Sequence, residues 1–290
     1  MIGAPLLALA AALGFAVGGV LLRRGLQHAS PLAAAAVSVS FTGLFVWTLT
    51  ALRMPLGSLL TSRALPFLAA GLLAPGLGRL LLFVGVDRVG VARSSTLLAS
   101  SPLFAIGLAA LVLGERPTWL LLVGAAAVVA GATLLAARQR AERAFRRLDL
   151  AFPVLAALSF ATRDNISRAA LADFPRPLAA AAVATLASVV VMWAYVGSQR
   201  GRGRFRLHPR GLAFIAMSGL CEGGASLSMW TALEAGEVAL VSPLVHAQPL
   251  FTVALAALFL RDLERVTWRT VLAAALIVAG VGLVIRAHVA

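Results

Sequence analysis

At 290 residues, with 61% hydrophobic and only 12% charged residues, and a mean hydropathy of +0.95, the chain lies outside the range of soluble globular domains. A net charge of +14 would suit a nucleic-acid binder. Nearly all of that charge stands in short loops between apolar runs, where positive-inside biasing explains it, so no nucleic-acid partner is expected. The runs are about twenty residues long rather than ten-residue dyads, which excludes a membrane barrel and leaves an all-α integral membrane protein.

All 25 basic residues are arginine, which points to coding bias rather than function. The single cysteine, Cys221, excludes an internal disulfide and reads as a buried small residue inside an apolar span. No positive segment precedes the first apolar run; Arg23 and Arg24 follow it. The first span is therefore expected to stay in the mature protein.

Taken in chain order, ten spans are expected: 5–22, 31–52, 66–86, 91–113, 118–136, 150–171, 177–197, 211–233, 238–260 and 268–286. Each is long enough to cross roughly 30 Å of hydrocarbon at about 1.5 Å per residue. Short connections make neighbouring spans antiparallel. Seventeen of the 25 arginines fall in or beside the loops after spans 1, 3, 5, 7 and 9, including Arg200, Arg202, Arg204, Arg206 and Arg210. On the positive-inside rule those odd-numbered loops are cytoplasmic and both termini lie outside.

The chain repeats itself. Residues 31–37 and 177–183 are the same heptapeptide, Pro-Leu-Ala-Ala-Ala-Ala-Val, and ten residues after each stands a tryptophan, Trp47 and Trp193. Pro102-Leu103-Phe104 returns as Pro249-Leu250-Phe251, residues 108–111 return as 255–258, and Thr118-Trp119 returns as Thr267-Trp268. The offset drifts only from 146 to 149. Five spans per copy is an odd number, so the second copy enters the membrane upside down: a 5+5 inverted-topology repeat. The expected units are 1–137, a basic linker at 138–149 that holds Arg138, Arg140, Arg143, Arg146 and Arg147, and 150–290.

A charge at membrane depth costs a few kcal/mol or more and so faces a partner or water. Arg79 follows Pro75-Gly76-Leu77-Gly78 in span 3, where proline and glycines weaken the helix. Arg163 and Asp164, next to Asn165, lie in span 6, with Arg168 one turn beyond Asp164; Glu222 is in the middle of span 8. The repeat sets Val17 and Gly18 against Arg163 and Asp164, and Ser226 against Arg79, so these charges belong to one copy only. Two kinds of role stand for each: contact with a substrate, or structural pairing. Asp164 and Arg168, at i and i+4, have the spacing to neutralise each other; Arg163 has the reach to snorkel toward a headgroup; Arg79 and Glu222 have the placement for a buried pair. His246 and Gln248 in span 9 face the same choice between substrate binding and interhelical bonding.

Ser100 and Ser101 in span 4 either line a cavity or bond back to their own helix. Trp230 and Met229 form an apolar wall or part of the core. Gly14 and Gly18 in span 1, with Gly219 and Gly223 in span 8, favour close helix packing. Pro102 and Pro249, at equivalent places in spans 4 and 9, read as hinges or as kinks that shape the cavity. There is no Walker A motif, no HExxH, no pair of cysteines and no Gly-x-Ser-x-Gly elbow. No catalytic residues, metal or cofactor are expected, and whatever moves is driven by a gradient.

Ten spans, a 5+5 inverted repeat, arginines closing span 1 and the step Gly114-Glu115-Arg116-Pro117-Thr118 after span 4 together resemble the EamA branch of the drug/metabolite transporter superfamily. The second-copy step, Arg261-Asp262-Leu263-Glu264-Arg265-Val266-Thr267, departs from that pattern by lacking the glycine and inserting two residues. The resemblance implies a central cavity lined by spans 1, 3, 4, 6, 8 and 9, with spans 5 and 10 peripheral, and transport by alternating access. Aromatic amino-acid exporters of the bacterial inner membrane are the comparison it suggests. A small-molecule substrate is then expected, an amino acid or similar metabolite, exported by a monomer or weak homo-oligomer. Arg79 or Arg163 would attract its carboxylate, Glu222 or Asp164 its ammonium, and Trp230 its side chain. Export of other metabolites or of lipophilic cations is the alternative within transport; a membrane-embedded enzyme is the alternative outside it.

Overall fold

Prolines mark where several helices begin. Pro31, Pro177 and Pro209 stand at first helical positions, where a missing N–H leaves nothing unsatisfied. In the computed structural model, which describes residues 3–59, 61–136, 146–199, 205–259 and 268–289, the expected spans become ten helical units, every described end within three residues of expectation. They are α1 (Gly3–Gly25), α2 (Pro31–Arg53), α3 (Leu65–Gly71, Leu72–Leu77 and Gly78–Val89), α4 (Val91–Leu98, then Ser101–Leu108 and Ala109–Leu113) and α5 (Trp119–Ala136). The second set is α6 (Ala151–Asp173), α7 (Pro177–Ser198), α8 (Pro209–Ala235), α9 (Val238–Val245 and Gln248–Phe259) and α10 (Trp268–Val289). Linker residues 138–145, Arg200, Arg202, Arg204, Leu260 and the second-copy step at 261–267 lie outside the described residues.

Nine of these units are long and apolar enough to cross a membrane on length and composition alone. The tenth is α6, in which every eighteen-residue window takes in Arg163, Asp164 and Arg168.

The inverted repeat is written into the contacts between the halves. Where α8 crosses α2, a Cβ on Gly219 would press on the Ser38 carbonyl and stand 2.7 Å from Phe41 Cβ, and Thr42 Oγ1 donates to the Gly219 carbonyl at 2.8 Å. Where α3 crosses α7, a Cβ on Gly71 would press on the Ala184 carbonyl, and Ser188 Oγ donates to the Gly71 carbonyl at 2.9 Å. Ser38 and Ala184, like Thr42 and Ser188, are 146 residues apart, the spacing of the repeated heptapeptide. The second bond has an added purpose. Pro75 sits four residues after Gly71 and has no N–H to give in the α-helical pattern; the segment Leu72–Leu77 widens to a π-helix there, and Ser188 adds a donor to the Gly71 carbonyl from across the crossing. Pro75 also pushes the residue before it out of the helix, with Ala74 at φ −152 and ψ 134.

The tryptophans obey the same symmetry. Trp47 Nε1 donates to the Ala182 carbonyl at 3.0 Å. Trp193 Nε1 donates to Ser40 Oγ at 2.9 Å, and Ser40 in turn donates to Ala36, the counterpart of Ala182. At the periphery α5 and α10 pack on each other, each of Gly124 and Gly280 lying against the other's carbonyl.

Loops group by face as the odd and even count requires. On the basic face, Ala29 pairs with Leu207 in an isolated antiparallel bridge, with Ser30 N to the Arg206 carbonyl at 2.8 Å and His208 N to the His28 carbonyl at 3.0 Å. There too Arg88 meets Asp149 at 2.9 Å; the Arg88 guanidinium, then the Arg146 backbone N–H, hold the Asp149 carboxyl below its usual value. On the opposite face, Gly114 turns the chain at φ 70. The Glu115 carboxylate then accepts from the Val238 and Ala239 N–H groups at 2.9 and 3.0 Å. An acid of the first half thus caps the first turn of α9 in the second, where the helix dipole favours negative charge.

Gly219→Val is expected to cost about 1–3 kcal/mol by overpacking the α2–α8 crossing. Gly224→Val, on the same helix with nothing within 4 Å of a Cβ, leaves the thermal unfolding midpoint in detergent unchanged. Equal midpoints for the two variants would show that the crossing tolerates a side chain. Glu115→Ala strands two buried N–H donors and is expected to cost about 1–3 kcal/mol in the same measurement, against no change if water serves them as well.

Candidate functional site

Charged and polar groups gather where α3, α4, α6, α8 and α9 meet. α4 and α9 are both interrupted there, after Leu98 and after Val245, at equivalent places in the two copies. Pro102 opens the second segment of α4 and Pro249 that of α9. Neither proline's ring can continue the preceding turn, so a helix end falls inside the bilayer where backbone groups would otherwise be paired. Ser100, Ser101, His246 and Gln248 are the side chains at these two breaks. Ser100 Oγ bonds back to the Leu97 carbonyl at 2.6 Å, while Ser101 Oγ crosses to the Ala157 carbonyl of α6 at 3.0 Å.

Two ion pairs stand in this region. The first joins the halves: Arg79 Nη2 on α3 lies 3.2 Å from Glu222 Oε2 on α8. Ser38 Oγ of α2 donates to the same oxygen at 3.1 Å. The pair is largely buried, with side-chain exposures of 24% for Arg79 and 12% for Glu222. The second lies on one helix: Arg163 Nη2 is 2.8 Å from Asp164 Oδ1, and both residues are buried. Asp164 Oδ2 accepts from Ser242 Oγ of α9 at 3.2 Å. One turn on from Ser242, His246 Nδ1 lies 2.9 Å from the Ser242 carbonyl. A carbonyl only accepts, so Nδ1 is the donor in this contact.

This second pair is under-satisfied. Neighbours on a helix at i and i+1 do not face each other, and the contact between Arg163 and Asp164 Oδ1 does not have hydrogen-bond geometry. Arg163 Nε and Asn165 Oδ1 are buried without a hydrogen-bond partner, although Asn165 Nδ2 donates to the Ala105 and Ala161 carbonyls at 3.0 Å each. A buried donor or acceptor left open costs about 1–3 kcal/mol. Three such atoms on consecutive residues form a place where a ligand's polar groups would be stabilising. Phe160 divides the two pairs. The Arg163 guanidinium stands over its ring at 5.5 Å, and the ring edge lies 3.1 Å from the position of a Cβ on Gly78, next to Arg79.

The remaining sequence candidates take these places. Arg168 does not neutralise Asp164. It donates to the Leu233 and Glu234 carbonyls at 3.1 and 2.8 Å, satisfying the C-terminal end of α8, because Asp164 is already turned to α9. Arg163 does not snorkel; it is buried at 7% exposure. Trp230 and Met229 belong to the main hydrophobic core, with Trp230 edge-on to Phe67 at 5.7 Å. Gly14 lies against Ala225, Gly18 against Glu222 Cγ, and Gly223 against Phe45; Gln248 Nε2 lies 3.8 Å from a Gly19 Cβ position. Ser38, Ser242 and Phe160 were not among the sequence candidates. Ser242 had a signal in its spacing, one turn before His246. Ser38 joins the site only through a contact 184 residues away in sequence, whereas Phe160 stands one turn before Arg163 on the same helix, a spacing that could have signalled it.

Comparison with known proteins completes the assignment. None of the curated proteins compared with the chain matches it. Among solved structures, one crystal structure at 18% sequence identity superposes with a TM-score of 0.76, covering 97% of this chain and 95% of its own, which establishes a shared fold. The family model described as the EamA-like transporter family matches twice, at residues 2–137 and 149–286. With both halves of an inverted repeat matched and ten helical units present, the chain belongs to the EamA-like transporter family, membrane transporters of the drug/metabolite transporter superfamily.

Proposed function

We propose that the chain is a secondary transporter of the bacterial inner membrane that exports amino acids, aromatic or other neutral ones, or similarly small zwitterionic metabolites. The observation that carries this is the Arg163–Asp164–Asn165 run. One cation and one anion side by side, each with an open hydrogen-bonding position, complement a carboxylate and an ammonium held on one carbon. Phe160, already beneath the Arg163 guanidinium, offers a ring face to an apolar or aromatic side chain. His246, at the break in α9 and hydrogen-bonded through Nδ1 to the Ser242 carbonyl, has its Nε2 left for a polar group of the substrate.

In this mechanism the five-helix units at 1–137 and 150–290 move against each other about the crossings of α1 with α8 and of α3 with α6 and α7. The midplane seat opens to one face at a time. The arginine excess of the odd-numbered loops supports an orientation with those loops in the cytoplasm and both termini outside. A lipophilic-cation exporter wants a carboxylate free to exchange its bound cation. Glu222 is instead held by Arg79 and Ser38, which favours zwitterions over cations.

Uptake into proteoliposomes, with and without a proton gradient and against a panel of amino acids, nucleotide sugars and quaternary ammoniums, tests the proposal. Neutral amino acids are expected to be transported. Arg163→Ala and Asp164→Asn, each removing one charge-assisted bond, are expected to raise KM about 10- to 100-fold. Normal transport by both variants, or transport of quaternary ammoniums alone, would overturn it.

A further inference from the structure

Glu222 belongs to the second half, and what holds it belongs to the first. Arg79 of α3 and Ser38 of α2 both bond Oε2, and Gly18 of α1 lies against its Cγ. Three helices of one half close on a single carboxylate of the other. The repeat has no counterpart for this contact: the residue 147 places before Glu222 is Pro75, and the one 147 places after Arg79 is Ser226. Inverted repeats make the two end states of a carrier nearly related by symmetry. A contact available to one copy only therefore stabilises one end state over the other, and shifts their ratio by its full differential energy. Arg79–Glu222 also differs from Arg163–Asp164 in kind. It is a geometrically sound hydrogen-bonded pair between two halves, whereas the other sits on one helix with valences open.

We propose that Arg79 and Glu222 form a latch between the halves. It is made in the conformation that also closes the basic-face strap of Ala29 and Leu207, and it opens when the carrier exchanges faces. Both are positioning residues: they set which face is closed and do not contact substrate. This division of roles rests on the transport mechanism above, in which Arg163 and Asp164 seat the substrate. A latch confined to one copy gives the carrier a resting state, so an empty molecule returns to the same closed face after each cycle.

The latch is testable without any substrate. In a Cys221→Ala protein with spin labels on Gln27→Cys and Arg210→Cys, beside the strap, electron-resonance distances in proteoliposomes report closed and open populations. Arg79→Gln together with Glu222→Gln removes both charges, so that neither is buried alone. It is expected to raise the ratio of long to short distances about tenfold, and the charge swap Arg79→Glu with Glu222→Arg is expected to restore the parent ratio. In transport, the neutral double variant is expected to change the maximal rate, and the apparent KM by less than the roughly tenfold shift in populations, and the charge swap is expected to restore both. An unchanged distance distribution overturns the latch. So does a rise in KM of about tenfold or more that the swap fails to rescue, which would make the pair a substrate ligand. Normal transport by Arg163→Ala alongside the expected distance shift would instead remove the seat and leave the latch standing.

Discussion

The structure depends on one constraint: an ionised side chain in hydrocarbon is stable only against a partner or in water. Arg79, Arg163, Asp164 and Glu222 all lie at membrane depth, and all four are met inside the protein by another charge. Meeting that requirement ties together helices far apart in sequence. Arg79 and Glu222 link α3 to α8, and Asp164 reaches through Ser242 to the broken helix α9. The charged helices α3, α6 and α8 are thereby tied to their neighbours at the centre, while α5 and α10 pack on each other at the periphery.

A scaffold of near-symmetric crossings frames that asymmetric centre. Gly71 on Ala184 and Gly219 on Ser38 are the same contact made twice, each with a hydroxyl bonded to the glycine carbonyl. Glycine is required at both because a carbonyl occupies the space of a Cβ. The charges have no such duplicates. In the proposed carrier, symmetry in the frame would give two equivalent ways for the halves to pack, and asymmetry in the charges would distinguish them.

Much of the fold was legible because membrane thickness fixes the period of the apolar runs. The repeated heptapeptide and the paired prolines then exposed the halves. The site was legible only in part. Depth alone singled out Arg79, Arg163, Asp164 and Glu222, but partners are set by packing, which spacing along one helix cannot reveal. Asp164 and Arg168 have the spacing of an ion pair, yet α9 offers Asp164 a serine and the end of α8 offers Arg168 two open carbonyls. Glu115 marked the family step in the sequence; that it caps α9 follows from a contact across the halves that no local pattern encodes.

Water at the midplane is the central claim, since a seat for a zwitterion is useless if solvent never reaches it. In a Cys221→Ala background, Ser100→Cys and Gln248→Cys place single thiols at the two helix breaks. Their reaction with a charged, membrane-impermeant thiol reagent, applied to one face at a time, measures access directly. Modification of both thiols, slowed by a transported amino acid, is the result this account requires. Thiols that stay inert from either face in a folded, membrane-inserted protein would mean that the charges are sealed in dry protein, and would contradict it.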